Sequence, residues 1–268
     1  DTIERIDAYS NSKHTSGPTV SLLREKPFFN IVSAAVNIWY RATDIDRKNV
    51  RVLPSKSSDV GMAFVATVLL QEWMRRERFG TFLNLWGRAL AKYGSAVVKF
   101  VPQGGRLVPS VVPWNRLIAD PIQFEAIPTI EKFYLTPSQL RKNKAYDKEV
   151  VDGLINAAQS RKTLDGFTKD NKNDFIEIYE VHGELDSRLL EKEPDENVQD
   201  KDIKYVQQMH VVSFIQNKHG DYDDFCLYKG RESKHPYMLT HLIEEDGRML
   251  SIGAVEYLFD AQWMVNHS

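Results

Sequence analysis

Residues 81–114, TFLNLWGRALAKYGSAVVKFVPQGGRLVPSVVPW, contain the change of pattern that decides the fold. The first part has apolar residues at helical spacing and predicts a helix that Gly94 ends. The second part is rich in β-forming residues on both sides of a Gly-Gly turn, so it predicts a hairpin with strands at 96–101 and 106–112. Pro109 lies within the second strand, which favours an edge position for that strand. A helix followed directly by a hairpin indicates an α+β fold.

A second helix is predicted immediately before this stretch, between Ser58 and Gly80. Its cationic residues Arg75, Arg76 and Arg78 fall in the last turn, where the helix dipole favours positive charge. Almost no linker separates the two helices, so we expect them to pack on each other as a helical hairpin. The apolar residues that recur at helical spacing are Val60, Phe64, Val65, Val68, Leu69 and Trp73.

The middle of the chain alternates strand-like segments with polar segments. Thr136 and Pro137 are residue types favoured at a helix N-cap and at the first helical position, so a short helix is predicted there. Two polar segments, 161–174 and 191–202, are predicted to be solvated loops. The predicted strands around these loops are 175–185, 203–216 and 225–229.

The helical period returns at Ser251 and continues to the last residue. Glu256 and Asp260 lie in the opening turns of this helix, one turn apart. We expect both ends of the chain to be cut points, since no stop signal follows the final helix and no signal segment stands at the start. We therefore predict two parts, residues 1–250 and the start of a longer helix over 251–268.

The composition argues against several classes of protein. Lys and Arg number 35 and Asp and Glu number 37, so the chain lacks the basic excess typical of proteins that hold nucleic acid by neutralising phosphates. A single cysteine excludes an intrachain disulfide. No apolar run approaches the ~20 residues that a membrane span requires, and we expect no membrane association.

The sequence lacks several motifs that mark enzymes. The phosphate-binding Gly-x4-Gly-Lys loop, the His-Glu-x-x-His zinc motif and the Gly-x-Ser-x-Gly elbow are missing. Asp221, Asp223 and Asp224 form an acidic group that could hold magnesium for nuclease chemistry, although a turn beside Gly220 explains them more simply. We therefore expect a protein that is not an enzyme, without catalytic residues, metal or cofactor. A metal-dependent nuclease is kept as a less favoured alternative.

The order of these segments resembles that of podophage-type portal proteins, the head-to-tail connectors of tailed bacteriophages. The resemblance runs from about Phe28 to the last residue of the chain. It rests on Phe29–Arg41 with Trp39, Ala91–Gly94, Val97–Phe100, Val112-Pro113-Trp114, Ala119–Pro121, His235-Pro236-Tyr237, Gly253, Glu256-x-Leu258-x-Asp260-x-Gln262 and Asn266.

The resemblance implies a portal wing, with a helical hairpin packed with antiparallel strands, over residues 1–250. It implies the beginning of a long stem helix over residues 251–268. The clip, the second stem helix and the inner helices of that family are not present in this chain.

The resemblance also implies a place in the virion. A homo-oligomeric ring of about twelve subunits would stand at one capsid vertex and conduct double-stranded DNA during genome packaging and ejection. Such rings assemble in the host cytoplasm, and their implied partners are the terminase large subunit, the major capsid protein and a tail adaptor. Another virion module, such as an adaptor or a capsid-associated protein, is the alternative.

Candidate site residues follow from the resemblance. Glu256 and Asp260 are candidates for the wall of the DNA tunnel, because acidic side chains repel phosphate and let DNA slide. The ordinary preference for acidic residues at a helix N-terminus explains them equally well. Gly253, Gln262 and Asn266 form the stem motif. The candidates for subunit contacts are Arg75, Arg76, Arg78 and Trp114. The three arginines could contact phosphate or the carboxylates of a neighbouring subunit, and a solvated helix end is the simpler explanation for them.

Overall fold

The structure, a computed structural model, describes residues 2–14, 27–42, 45–103, 105–164, 175–191, 203–217 and 219–267. Its helices are α1 Thr2–Ser10, α2 Ile31–Ala42, α3 Val60–Arg76, α4 Phe79–Tyr93, α5 Pro137–Lys142, α6 Lys148–Leu164, α7 Ala254–Tyr257 and α8 Phe259–His267. Its strands are β1 Ser95–Gln103, β2 Arg106–Val112, β3 Leu117–Ile118, β4 Thr129–Leu135, β5 Ile176–Asp186, β6 Tyr205–Gln216, β7 Tyr222–Arg231 and β8 Tyr237–His241. The predicted α+β class is confirmed, and the strands pair antiparallel.

The chain divides into two compact units. The first comprises Asp1–Asn115 and Tyr237–Ser268, and the second comprises Arg116–Pro236. The predicted division at residue 250 does not coincide with either boundary, because residues 251–268 belong to the same unit as the N-terminal helices.

The first unit is built around α4 and the hairpin that follows it. In its sheet β1 lies between β2 and β8, with Val97 opposite Val112 on one side and Leu239 on the other. Within the described chain β2 is an edge strand, which confirms the position predicted from Pro109. Helices α1, α2, α4 and α7 meet in one apolar core, whose buried side chains are Ile6, Tyr9, Val32, Val36, Ala91, Ala254 and Val255.

Gly94 ends α4, as predicted. Its φ of 77° lies in the left-handed region that favours glycine, and its N–H donates to the carbonyl oxygen of Leu90. A Cβ at this position would lie 2.5 Å from the backbone oxygen of Ser251. The end of α4 and the segment before α7 are therefore packed backbone to backbone.

The junction between α3 and α4 differs from the prediction. Helix α3 ends at Arg76, and Arg78 adopts the left-handed conformation, with φ 51° and ψ 41°, before α4 begins. Gly80 was expected to lie beyond the first helix, but it is the second residue of α4. The two helices contact each other, as expected for consecutive helices with a short connection.

The second unit is a five-stranded sheet in the order β3-β4-β5-β6-β7. Thr136 caps α5 and forms a capping box with Gln139, so the predicted helix start is confirmed. Helix α6 was not predicted, yet it supplies Val151, Leu154 and Ile155 to the core of this unit. The other buried side chains of that core are Leu140, Tyr146, Ile176, Ile178, Val211, Ile215 and Leu227.

The two predicted loops are described only in part. Helix α6 continues to Leu164, so the start of the loop predicted over 161–174 is helical. Residues 165–174 and 192–202 lie outside the described residues.

The helical segment predicted from Ser251 is two short helices. Gly253 precedes the four residues of α7, and Leu258 interrupts the helix with φ −106° and ψ 11° before the nine residues of α8. One continuous helix from Ser251 is therefore a wrong prediction for the described residues. None of the described helices is both long and apolar enough to cross a lipid bilayer.

Candidate functional site

Several segments that carry the portal resemblance meet in the first unit. Gly253 lies against the end of α4, where a Cβ would be 2.4 Å from the carbonyl oxygen of Lys92. The indole Nε1 of Trp114 donates to the carbonyl oxygen of Ser95 at 3.0 Å. Both residues therefore hold the turn between α4 and β1 in place.

Trp114 is not a subunit contact in this structure. Its side chain is only 3% exposed, and its ring lies 6.4 Å from that of Tyr93. The interface role predicted for Trp114 is corrected to a core role, because a side chain that is buried in the single chain has no surface to offer a neighbour.

The other two stem-motif residues join α8 to the start of α2. Gln262 is fully buried, and its Oε1 accepts from the backbone N–H groups of Ile31 and Val32 at 3.0 and 3.3 Å. Its Nε2 donates to the carbonyl oxygen of Phe29 at 2.7 Å. Asn266 accepts from the N–H of Phe29 at 3.0 Å. Since the first N–H groups of a helix have no partner within it, these side chains complete the N-terminus of α2.

The two tunnel-wall candidates differ from each other. Both carboxylate oxygens of Glu256 accept from Arg248, at 2.8 and 2.9 Å. Asp260 is exposed at the start of α8. The predicted acidic stripe is therefore reduced, because Arg248 neutralises one of its two charges and Asp260 alone presents an acidic group to solvent.

The three predicted contact arginines have different surroundings. Arg75 pairs with Glu72 at 3.0 Å, and this hydrogen bond and charge raise the pKa of Arg75 and lower the pKa of Glu72. Arg76 pairs with Glu77 at 3.1 Å. Arg78 is exposed in the turn between α3 and α4. All three remain accessible to a neighbouring molecule, in contrast to Trp114.

Among the helices, α3 departs most from its prediction, because most of its large apolar residues lie on the outer, exposed side. Its inner side carries Met74 and two small or polar residues, Ala63 and Thr67. Five of the six residues whose spacing predicts the helix are exposed, Trp73 being the exception, and Phe64 is 70% and Leu69 65% exposed. We define the α3 surface as the exposed apolar residues Val60, Met62, Phe64, Val65, Val68 and Leu69.

A second group of exposed apolar residues lies on the last two helices. They belong to α7 and α8 and are separated in sequence from the α3 surface, although both lie in the first unit. We define the α8 surface as Tyr257, Trp263, Met264 and Val265, all of which are exposed.

A buried serine-histidine cluster in the first unit has the residue types of a hydrolase. His241 Nδ1 lies 3.0 Å from Ser95 Oγ and 2.9 Å from Ser251 Oγ, and Ser95 Oγ accepts from the N–H of Ser251. Both serines are fully buried. A substrate cannot reach either hydroxyl in this arrangement, so the cluster serves to join β1, β8 and the segment before α7.

The acidic group considered for nuclease chemistry does not converge. Asp223 and Asp224 are consecutive in β7, so their side chains point to opposite faces of the sheet. Asp223 accepts from the side chain of Asn217 at 3.1 Å. In the part of the chain that is described, no group of three His, Cys, Asp or Glu side chains is placed to hold a metal ion.

His182 in the second unit lies between two carboxylates. Its Nδ1 is 2.9 Å from Glu232 and its Nε2 is 3.6 Å from Glu180. Burial lowers the pKa of His182, but the two neighbouring carboxylates outweigh burial and raise the pKa above its usual value. This arrangement ties β5 to the residue that follows β7.

A group of three arginines includes Arg75 and Arg78, which were predicted as contact residues, and Arg47, for which the sequence has no signal. Arg47 precedes Arg75 by 28 positions in the printed sequence, yet the fold brings Arg47, Arg75 and Arg78 to the lining of one cavity. The α3 surface did have a signal, because the first three turns of α3 are apolar on nearly every side, a pattern typical of a helix buried on all sides.

Comparison with known proteins identified no relative of the chain. No model of a known protein family matches the chain, and no curated protein matches it.

Proposed function

We propose that this chain is a structural subunit of a portal-type ring of about twelve copies, which stands at one vertex of a virion capsid and conducts double-stranded DNA. The role is structural and not catalytic. The terminase large subunit, the major capsid protein and a tail adaptor are the proposed partners of the ring, and assembly takes place in the host cytoplasm. The observation that carries the ring proposal is the α3 surface.

The α3 surface is difficult to reconcile with an isolated subunit. Six large apolar side chains are at least about half exposed on one helix, and the segment before it adds Leu53, which is 80% exposed. Scattered apolar residues are ordinary on a protein surface, but a contiguous group of this size typically marks an interface. Full burial of each such side chain contributes about 1.5 to 3 kcal/mol.

A second copy of the chain is the proposed occupant of the α3 surface. A ring requires a head-to-tail contact, in which two different surfaces of one subunit meet on neighbouring copies. The first unit has two groups of exposed apolar residues that are far apart in sequence, the α3 surface and the α8 surface. An isologous dimer needs only one self-complementary surface, so the presence of two favours the ring.

The charge of the chain is consistent with DNA that slides past the subunit. The net charge is −2, and Arg248 near the last helices is paired with Glu256. A wall that made many phosphate contacts would hold the DNA, since such contacts are strong. Asp260 is the remaining candidate from the sequence for a group that faces the tunnel.

The test is assembly of variants of the α3 surface. We expect Val65→Asp and Leu69→Asp each to leave a folded subunit, because both side chains are exposed in the single chain. Each variant should weaken assembly by about tenfold or more, since an aspartate would be buried without a partner. The matched control is Gln71→Asp, which adds the same charge at an exposed polar position of α3.

Sedimentation and native mass measurement read out the assembly state. Closed rings of the unchanged protein and of Gln71→Asp, with smaller species for the two α3 variants, support the proposal. A protein that stays monomeric at all concentrations contradicts it, and a monomer that joins only a preformed ring supports the adaptor alternative instead.

A further inference from the structure

A cavity lined by arginines lies at the start of α4. Its volume is about 470 Å³, and Arg47, Arg75 and Arg78 contribute to its lining together with Gly80, Thr81 and Asn84. Among the residues that the structure describes, none of those that line this cavity is acidic. A second cavity of about 300 Å³ shares Arg47 and Arg75 and adds Lys48 and Asp46, so positive charge dominates this region of a chain whose net charge is −2.

The positive charges of the cavity are only partly balanced by the protein. Arg47 and Arg78 form no ion pair with any residue that the structure describes, whereas Arg75 pairs with the exposed Glu72. The Asp46 carboxylate accepts from the backbone N–H of Lys48 at 2.9 Å and lines only the second cavity. Guanidinium groups that share one cavity repel each other, so an anion bound between them would relieve this repulsion.

Two local features of the backbone accompany these arginines. Arg78 occupies the left-handed region, which is uncommon for residues other than glycine. Arg47 lies directly over Gly80, where a Cβ would be 3.0 Å from its Cζ. A Cβ at position 80 would press on the guanidinium of Arg47, so Gly80 leaves room for Arg47 in the lining of the cavity.

We propose that this cavity binds a phosphate group. Planar guanidinium groups donate pairs of hydrogen bonds that match the oxygens of phosphate, and several of them around one anion give strong charge-assisted bonds. The phosphate has two chemical sources, the backbone of a nucleic acid or a free phosphate or nucleotide. The site goes beyond the proposed ring and does not depend on it, because all of its lining residues belong to one chain.

The test compares two variants with a matched control. Arg78→Gly removes one guanidinium and should not disturb the fold, since glycine adopts the left-handed conformation readily. Arg47→Gln removes a second guanidinium. Arg76→Gln removes the same charge from a neighbouring residue that pairs with Glu77 and does not line the cavity. Titration of the protein with inorganic phosphate, and separately with a short duplex DNA at the same ionic strength, measures the affinities.

We expect Arg78→Gly and Arg47→Gln each to weaken phosphate binding by about tenfold or more, as expected for the loss of a charged hydrogen bond, and Arg76→Gln to leave it within about twofold. If the duplex binds more tightly than phosphate and shows the same pattern of losses, the source is a nucleic-acid backbone. If the duplex binds no more tightly, the source is a free phosphate. Undetectable phosphate binding by the unchanged protein, or an equal loss in Arg76→Gln, overturns the proposal.

Discussion

Gln262 joins the last helix of the first unit to the start of α2. Its amide satisfies two backbone donors and one backbone acceptor, which lie 230 to 233 positions away along the chain. A buried amide with this many partners specifies one packing of α8 on α2, because any other packing would leave polar groups without hydrogen bonds. The portal resemblance assigned Gln262 to a stem helix, and the structure gives it a role in the single subunit.

We predict that Gln262→Ala lowers the free energy of unfolding by about 2 kcal/mol or more, since it removes the partners of Ile31, Val32 and Phe29 while those groups stay buried or half-buried. Denaturant unfolding measures the effect. The matched control is Gln71→Ala on the exposed side of α3, which should change stability by less than about 0.5 kcal/mol. Equal stability of the two variants would show that the amide contacts are unimportant.

At the scale of elements, the turn between α4 and β1 depends on glycine. Gly94 has positive φ, and a Cβ there would meet the backbone of Ser251 and Ile252 at 2.5 to 2.7 Å. Gly61 on α3 is the opposite case, because nothing lies within 4 Å of the position of its Cβ. Substitutions at these two glycines therefore distinguish the effect of close packing from the effect of helix propensity.

We predict that Gly94→Ala lowers the free energy of unfolding by about 2 kcal/mol or more, from backbone strain and overlap with the segment before α7. Gly61→Ala should instead raise it by about 0.5 to 1 kcal/mol, because alanine is the better residue inside a helix. Thermal and denaturant unfolding measure both. A stable Gly94→Ala protein would mean that the close approach of the two backbones does not constrain the fold.

Some elements could be predicted from the sequence because their signals are local. The hairpin of β1 and β2, the end of α4 at Gly94 and the cap of α5 at Thr136 each depend on a few adjacent residues, and all three are confirmed. Helix α6 was missed because its amphipathic pattern is weak and its place is set by packing against β6 and β7. The interruption at Leu258 has no local signal, since no proline or glycine stands there.

The candidate site could be predicted only in part, for a related reason. Spacing identifies an apolar helix, but it does not tell which side faces the core, and most large apolar residues of α3 lie on its exposed side. The cavity at Arg47 and Arg75 depends on how the chain before α3 returns to the start of α4, which is a long-range property. Trp114 looked like a contact residue because aromatic residues are frequent both in cores and in interfaces.

At the scale of the whole molecule, the central claim is that copies of the chain meet head to tail, with the α3 surface of one on the α8 surface of the next. Both surfaces lie in the first unit, so this unit would supply the contacts that close the ring. Head-to-tail contacts close into rings only when the same rotation repeats at every step. The contact pair can therefore be tested separately from ring closure.

The most direct measurement is cross-linking between single cysteines in a Cys226→Ser background, since Cys226 is exposed. Leu69→Cys marks the α3 surface and Met264→Cys marks the α8 surface. With a flexible bismaleimide, neither variant alone should form cross-linked dimers, a mixture of the two should form them, and a chain with both cysteines should form a ladder that ends at the closed ring. Cross-linking of Leu69→Cys to itself, or no cross-linking in the mixture, would contradict the head-to-tail contact.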